Sequence, residues 1–384
     1  MNLKGGVLND KRNSNKITLR YCSSFLRPAE LKQAREDLKA GKITLDQLHQ
    51  VEDRAIEDLV AKEKKHGLKV VTDGEFRRSY WHLDTFWGFD GIKHTKPEHG
   101  YFFHDEETRA DSAQVEGRIA FNPQHPDLVA YKFLHTLTIA DPEVSDRQSI
   151  PAPAQLYAEL IRGEENRQAI AKYYANDADL IADIGQAYHD LLLALYDAGC
   201  RDIKFDDCTW GMIVDNDYWS KRIQEGFSRE KLAELYLKVN NAALNDLPED
   251  LRVSTHVCRG NYHSTWAASG GYAPIADYLF ARENVQAFYL EYDDSRSGDF
   301  APLAKVTAGK EVVLGLVTSK HPELEDPQTV INRVKEASKY VPLENLALST
   351  QCGFASTEEG NKLTEQQQWD KIELVVNVSN NIWN

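Results

Sequence analysis

Short apolar runs alternate with amphipathic stretches along most of this chain. The runs at 17–22 (ITLRYC), 68–73 (LKVVTD), 148–151 (QSIP), 202–206 (DIKFD), 251–255 (LRVST), 286–290 (QAFYL), 311–316 (EVVLGL) and 345–349 (NLALS) read as buried parallel strands. They are short, rich in β-branched or aromatic residues, and most lead into polar turns. Helices are predicted between most of them. Leu45, Leu48, Val51, Ala55, Ile56 and Leu59 recur at helical spacing behind a Thr44/Gln47 capping-box pair, and Gly67 ends the run. A second apolar stripe covers about 177–198 and stops at Gly199, and a third helical segment spans 328–339. Eight alternating β/α units predict an α/β fold of the closed (β/α)₈ TIM-barrel type, formed by residues 1–384 as one domain. Only about 90–146 breaks the rhythm. Its aromatic, alternating segments VEGRIAF and VAYKFLHTLTI, set between Pro-containing turns, predict a β-rich insertion after strand 2.

Composition narrows the class without choosing the fold. Hydrophobic residues at 42% and charged residues at 27% provide for a sizeable core. A net charge of −15 repels nucleic acid and anionic membrane at long range, so neither is an expected partner. The opening residues hold no apolar signal region and no run of eighteen apolar residues occurs, which predicts a cytoplasmic protein. The five cysteines, Cys22, Cys200, Cys208, Cys258 and Cys352, are then expected as reduced thiols, with Cys200 a buried core residue.

Candidate chemistry collects at the carboxyl ends of the predicted strands, the face where barrels carry their sites. Ser23 and Ser24 follow the first strand, Asp73 and Glu75 the second, Asp206 and Asp207 the fourth, and His256 and Cys258 the fifth. Glu291 follows the sixth, Lys320 and His321 the seventh, and Cys352 the eighth. Two thiols, an imidazole and a carboxylate suit Zn²⁺. In an extended strand, i and i+2 share a side, so His256 and Cys258 present together. Each also has a plainer reading: a hydrogen-bonded histidine at a strand end, a small residue before the Gly353 turn, or, for Glu291, one member of an acidic run that includes Asp293 and Asp294. Structural zinc normally uses two close ligand pairs; one close pair plus two distant single ligands describes a site assembled by the fold.

The strings HVC, LEYDDSR and STQCGF, together with YCSSFLRP, VTDGEFRRSYW and IKFDDCTW, resemble in order and spacing the catalytic barrel of the cobalamin-independent methionine synthase family, over roughly 17–380. The resemblance implies a (β/α)₈ barrel with a catalytic Zn²⁺ that transfers a methyl group from a methylated folate, or another methyl donor, to homocysteine. It implies that His256, Cys258, Glu291 and Cys352 are the zinc ligands, that Ser24 helps hold the amino-acid carboxylate, and that Glu75 and Asp206 hold the ammonium. Two carboxylates beside a cationic amine would favour amino-acid thiols through charge-assisted hydrogen bonds. Two departures stand out. The family's further N-terminal barrel is not among these residues, and the histidine that serves the leaving group falls on Lys320, with His321 beside it, as the candidate acid. Alternatives are a methyltransferase for another small thiol, a metal-free decarboxylase of the uroporphyrinogen type, which has no use for the ligand set, and a non-catalytic barrel with structural zinc.

Overall fold

The computed structural model describes residues 24–224, 226 and 228–383, so the strand expected at 17–22, with Cys22 and Ser23, lies outside the described residues. In chain order the strands are β1 (Val70–Val71), β2 (Asp90–Thr95), β3 (Ser112–Ala120), β4 (Ser145–Asp146), β5 (Gln148–Pro151), β6 (Asp202–Asp207), β7 (Arg252–Val257), β8 (Ala287–Glu291), β9 (Glu311–Val317) and β10 (Leu346–Thr350). A parallel sheet runs β10-β9-β8-β7-β6-β5, and β1 pairs in parallel with β4. Only Arg147 separates β4 from β5, and its N–H donates to Val71 O at 3.0 Å. The parallel order therefore continues from β5 to β1.

Alternation of side chains gives the sheet two different faces. Phe205, Val257, Phe288, Leu290, Val312, Leu314, Leu346 and Leu348 pack into the main core, which the helices Asp177–Asp197 and Arg229–Ala243 share. On the other face Tyr289, Val313 and Ala347 form a small separate cluster. The register sets Asp206 beside His256, His256 beside Tyr289, and Glu291 beside Gly315. Polar residues thus share one face although they come from separate strands.

The two ends of the described chain meet. Phe25, Leu31, Ile56 and Leu59 pack with Trp369 and Ile372 of the helix Glu365–Trp383. The Phe25 N–H donates to Gly74 O at 3.2 Å and the Phe354 N–H to Ser24 O at 2.8 Å, so Ser24–Phe25 lies between the residues following β1 and those following β10.

The predicted helix starts and stops agree with the structure: Thr44 and Gln47 form the capping box of Leu45–Lys65, and Gly67 and Gly199 follow helix ends with positive φ. The insertion differs from expectation in two ways. Residues 115–120 lie in β3 of the antiparallel β2–β3 pair, as expected, but VAYKFLHTLTI belongs to the helix Pro126–Thr138. Pro126 at its start, a His125 side chain accepting from Asp127 N, and buried Leu128, Tyr131 and Leu134 at helical spacing override the β-branched composition. Ser145–Asp146, assigned by sequence to the insertion, are part of the parallel array.

Candidate functional site

A cavity of about 590 Å³ opens at the carboxyl ends of the parallel strands. Ser24, Glu75, Asp206, His256, Cys258 and Cys352 all line it.

Three of these residues form a buried metal-compatible group. The ligand atoms of His256, Cys258 and Cys352 lie within 4.8 Å of one another, with the two Sγ atoms 3.9 Å apart. Four bonds of about 2.3 Å to a tetrahedral ion would set ligand sulfurs about 3.8 Å apart. The His256 Nδ1 lies 3.2 Å from Tyr289 O, which can only accept, so Nδ1 carries the proton and the lone pair of the neutral ring is on Nε2. The imidazole also interacts with the Cys352 thiol. Contact with Cys208, burial and the nearby Glu291 carboxylate push the Cys258 thiol well up; contact with Cys258 and burial do the same to Cys352. Thiols packed in this way ionise together only if a cation joins them.

Glu291 sits behind this group, fully buried and off the cavity wall. Its Oε1 accepts from Gln351 Nε2 at 2.8 Å and its Oε2 from the Arg259 N–H at 3.2 Å. Burial opposes its ionisation, yet the Lys320 ammonium, Arg259 and the Gln351 hydrogen bond hold the carboxyl below its usual range. Lys320 is therefore a counter-charge to Glu291. It is buried, does not line the cavity, and its Nζ has no hydrogen-bond partner. His321 is exposed and also off the wall. Neither of these two candidate acids is among the residues that line the cavity. β9 ends at Val317, and Ser319 donates to Gln351, whose amide in turn donates to Glu291.

The two carboxylates expected to hold an ammonium are both on the wall, in different settings. Glu75 follows Gly74 in a tight turn, with φ of +60° stabilised by its N–H donating to Asp73 Oδ1 at 2.9 Å. Burial, opposed by Arg78, pushes its carboxyl up to about 7. Its Oε2 lies 3.8 Å from Arg78 Nη1 and has no hydrogen-bond partner. Asp206 pairs with the Lys204 ammonium. Asp207, the next residue, points to the opposite face and caps the helix Cys208–Ile213 through Thr209, the plain structural use of a carboxylate. Ser24 Oγ accepts from the Ala355 N–H at 3.4 Å, which fixes it beside Cys352.

The sequence reading missed Cys208 and the aromatic wall. Cys208 lines the cavity and its thiol interacts with that of Cys258. A Cβ on Gly211 would come 2.0 Å from Cys258 O, so only glycine lets this helix approach the metal group. The FDDC string carried the signal, since a capping Asp puts the next residue at the helix start. Tyr80, Trp81 and His82 line another part of the wall, and Tyr101, Phe102 and Phe103 arrive from the segment between β2 and β3. That segment is clamped over the mouth: His104 N donates to Trp266 O at 2.8 Å, and Glu106 pairs with His263 and Lys362. Cys200 is the buried core thiol expected, pushed up to about 12 chiefly by burial.

Comparison with known proteins gives the chain its family. The family described as "Cobalamin-independent synthase, Catalytic domain" matches residues 167–379. An uncharacterized protein of Bacillus subtilis (strain 168), YxjG, is 44% identical over 362 residues, 94% of this chain and 93% of its own. The crystal structure of a putative vitamin-B12-independent methionine synthase from Listeria monocytogenes is similar at 32% identity and TM-score 0.74, covering 96% of this chain and all of that one. A B12-independent methionine synthase from Shewanella sp. W3-18-1, solved in complex with selenomethionine, shares the fold at 16% identity and TM-score 0.69, over 96% of this chain and 98% of that one. The chain belongs to the family of cobalamin-independent synthase catalytic domains.

Proposed function

We propose that this chain is a zinc-dependent methyltransferase that moves a methyl group from a donor to the thiol of homocysteine, giving methionine. One observation carries the reading. A His–Cys–Cys group and two carboxylates share one cavity, so a small amino thiol can meet the metal and the ammonium site together. The fold belongs to the same proposal: a single (β/α)₈ barrel, in which Ser24–Phe25 lies between the residues following β1 and those following β10.

His256, Cys258 and Cys352 would hold the zinc, with Glu291 as the fourth ligand or as a carboxylate just outside the sphere. Zinc, when bound, would supply a Lewis acid that keeps the substrate sulfur as a thiolate at neutral pH, where a free thiol with a pKa of about 8.5 is mostly protonated. Glu75 and Asp206 receive the ammonium by charge-assisted hydrogen bonds, and Ser24, with the backbone beside it, receives the carboxylate. These contacts orient the sulfur toward the donor. A sulfur–carbon bond to methyl forms as the bond from methyl to the donor breaks, and the departing group takes up a proton. The departing group's proton would come from Lys320 or His321, from a cavity-wall group or from water; neither of the two residues is among those that line the cavity. Tyr101, Phe102 and Phe103 cover the mouth and exclude water. A structural-zinc reading is disfavoured because the ligating cysteines themselves form the wall. A reducing compartment, the cytoplasm, would keep Cys208, Cys258 and Cys352 as thiols.

The test is methionine formation from homocysteine, with methyltetrahydrofolate, its polyglutamate, methylcobalamin and a small methylated sulfur compound as donors. Zinc-dependent methionine from any of them supports the reading; binding of zinc with no methionine from any donor contradicts it.

A further inference from the structure

Behind the cavity wall a line of buried charges runs from Glu75 into the fold. Arg78, three residues after Glu75, is 5% exposed and does not line the cavity. Its guanidinium is tied to the surrounding fold. Nε and Nη2 donate to Asp127 Oδ1 at 3.2 and 2.8 Å, Nη2 also donates to Ser149 O, and Nη1 donates to Trp81 O at 3.2 Å. Nη1 faces Glu75 Oε2 at 3.8 Å, beyond hydrogen-bond distance. Arg78 therefore acts on that carboxylate through charge, from a place that other groups set.

Asp127 is fixed as firmly. It stands in the first turn of the helix Pro126–Thr138, where the helix dipole favours an anion, and its Oδ2 accepts from Thr85 Oγ1 at 2.7 Å. His125 beside it is neutral, since burial keeps the ring below its usual range and its Nδ1 accepts from the Asp127 N–H at 3.3 Å. Burial opposes ionisation of Asp127 as well, yet Arg78 holds the carboxyl below its ordinary value. Desolvation offsets much of the attraction in such a pair, so what the pair supplies is less stability than a cation at a fixed point behind Glu75. The other charged groups around Glu75 are Asp73 on its own turn, Lys204 and Asp206 of β6, and Arg27. Lys204 pairs with Asp206 and Arg27 donates to the Glu75 backbone carbonyl, whereas Arg78 faces the carboxylate itself.

Resting on the reading of Glu75 as part of an ammonium site, we propose that Arg78, clamped by Asp127, is a positioning residue for the amino-acid substrate. Its fixed charge lets the buried carboxyl ionise when an amine arrives, and Asp127 neutralises enough of that charge to keep Arg78 from repelling the amine. A guanidinium free to swing would close on Glu75 and take the ammonium's place. On binding, Glu75 releases its proton to solvent, and the substrate ammonium meets Oε2, which has no hydrogen-bond partner in the free protein.

Methionine, titrated calorimetrically into the zinc-loaded full chain from about pH 5 to about pH 8, tests this without turnover. In the unaltered chain the affinity should fall about tenfold per pH unit below a midpoint of about 7. Two variants of the pair should move that midpoint in opposite directions. Asp127→Asn leaves Arg78 with its full charge and free to approach Glu75, and should lower the midpoint by roughly half a pH unit or more. Arg78→Met combined with Asp127→Asn removes both buried charges, so that neither is stranded, and should raise it by about one unit or more. A purely structural role would weaken binding at every pH and leave the midpoint in place. Should one variant not fold, the other decides alone. A midpoint unmoved in a folded variant, or moved the other way, overturns the proposal. If the unaltered chain binds no methionine at any pH, the ammonium site fails and the proposal with it; if the midpoints move as stated but no donor yields methionine, the reaction fails and the role of Arg78 stands.

Discussion

Cys258 and Cys352 stand 3.9 Å apart because β7 and β10 end at the same level, not because the chain links them locally. Replacing either by Ser should remove zinc, measured by competition with a chromophoric chelator, while the far-ultraviolet circular dichroism stays unchanged. Retention of zinc in both variants would refute the ligand set. Lys320→Met should lower zinc affinity about 10- to 100-fold, the scale of outer partners around a metal, because it strips Glu291 of its ammonium. An unchanged zinc affinity with slowed methyl transfer would restore an acid role to Lys320. Glu75 gives a pH test. Its folded value of about 7 lies above the ordinary 4.5, so the free site is mostly protonated below neutrality, and a cationic amine must ionise it. Binding of methionine, which has the amine but no thiol, should weaken as pH falls below about 7, and Glu75→Gln should flatten that dependence. Linkage runs the other way for stability: the folded chain takes up a proton between 4.5 and about 7, so this contribution is present at low pH and lost as pH rises through 7. Methionine titrations at three pH values decide; an equal slope in the variant would remove Glu75 from the ammonium site.

Helix Cys208–Ile213 and the segment between β2 and β3 are the elements that turn a sheet end into a chamber. Gly211→Ala must displace the helix or the Cys258 loop and should cost about 1–3 kcal/mol in a denaturant melt, with zinc affinity falling as well. A wild-type melt would show that the close approach has slack. These elements also mark what the chain pattern could and could not tell. Buried strands announce themselves by composition, so β5 to β10 and their polar terminal residues were legible, as were helices with a capping Thr or a terminal glycine. The helix Pro126–Thr138 was not, because its β-branched and aromatic residues serve a helix whose start rests on His125 and Pro126. Nor was the aromatic wall: which face Tyr101–Phe103 present depends on hydrogen bonds to Trp266 and Glu106, residues far off or in the loop itself. Lys320 was legible as a strand-end residue but not as the buried counter-charge of Glu291, since periodicity says nothing of direction once a strand has ended.

At the scale of the whole molecule, the parallel strands carry a hydrophobic face for helices and a polar face for chemistry, and the first and last described helices pack together. Trp369, 5.3 Å from the Phe25 ring and stacked on His66, is central to that packing. Trp369→Ala should cost about 3–5 kcal/mol by denaturant unfolding, the usual loss for a buried large aromatic, and a loss under 1 kcal/mol would show the terminal cluster to be incidental. Among the described residues no helix is long and apolar enough to cross a membrane. The central claim concerns what meets the metal in this arrangement, and zinc K-edge X-ray absorption of the zinc-loaded chain with selenohomocysteine tests it most directly, since selenium is distinct from every protein sulfur. The account predicts a selenium neighbour at bonding distance from zinc, reduced in Asp206→Asn at limiting ligand; a zinc environment with no selenium at saturating selenohomocysteine would contradict it.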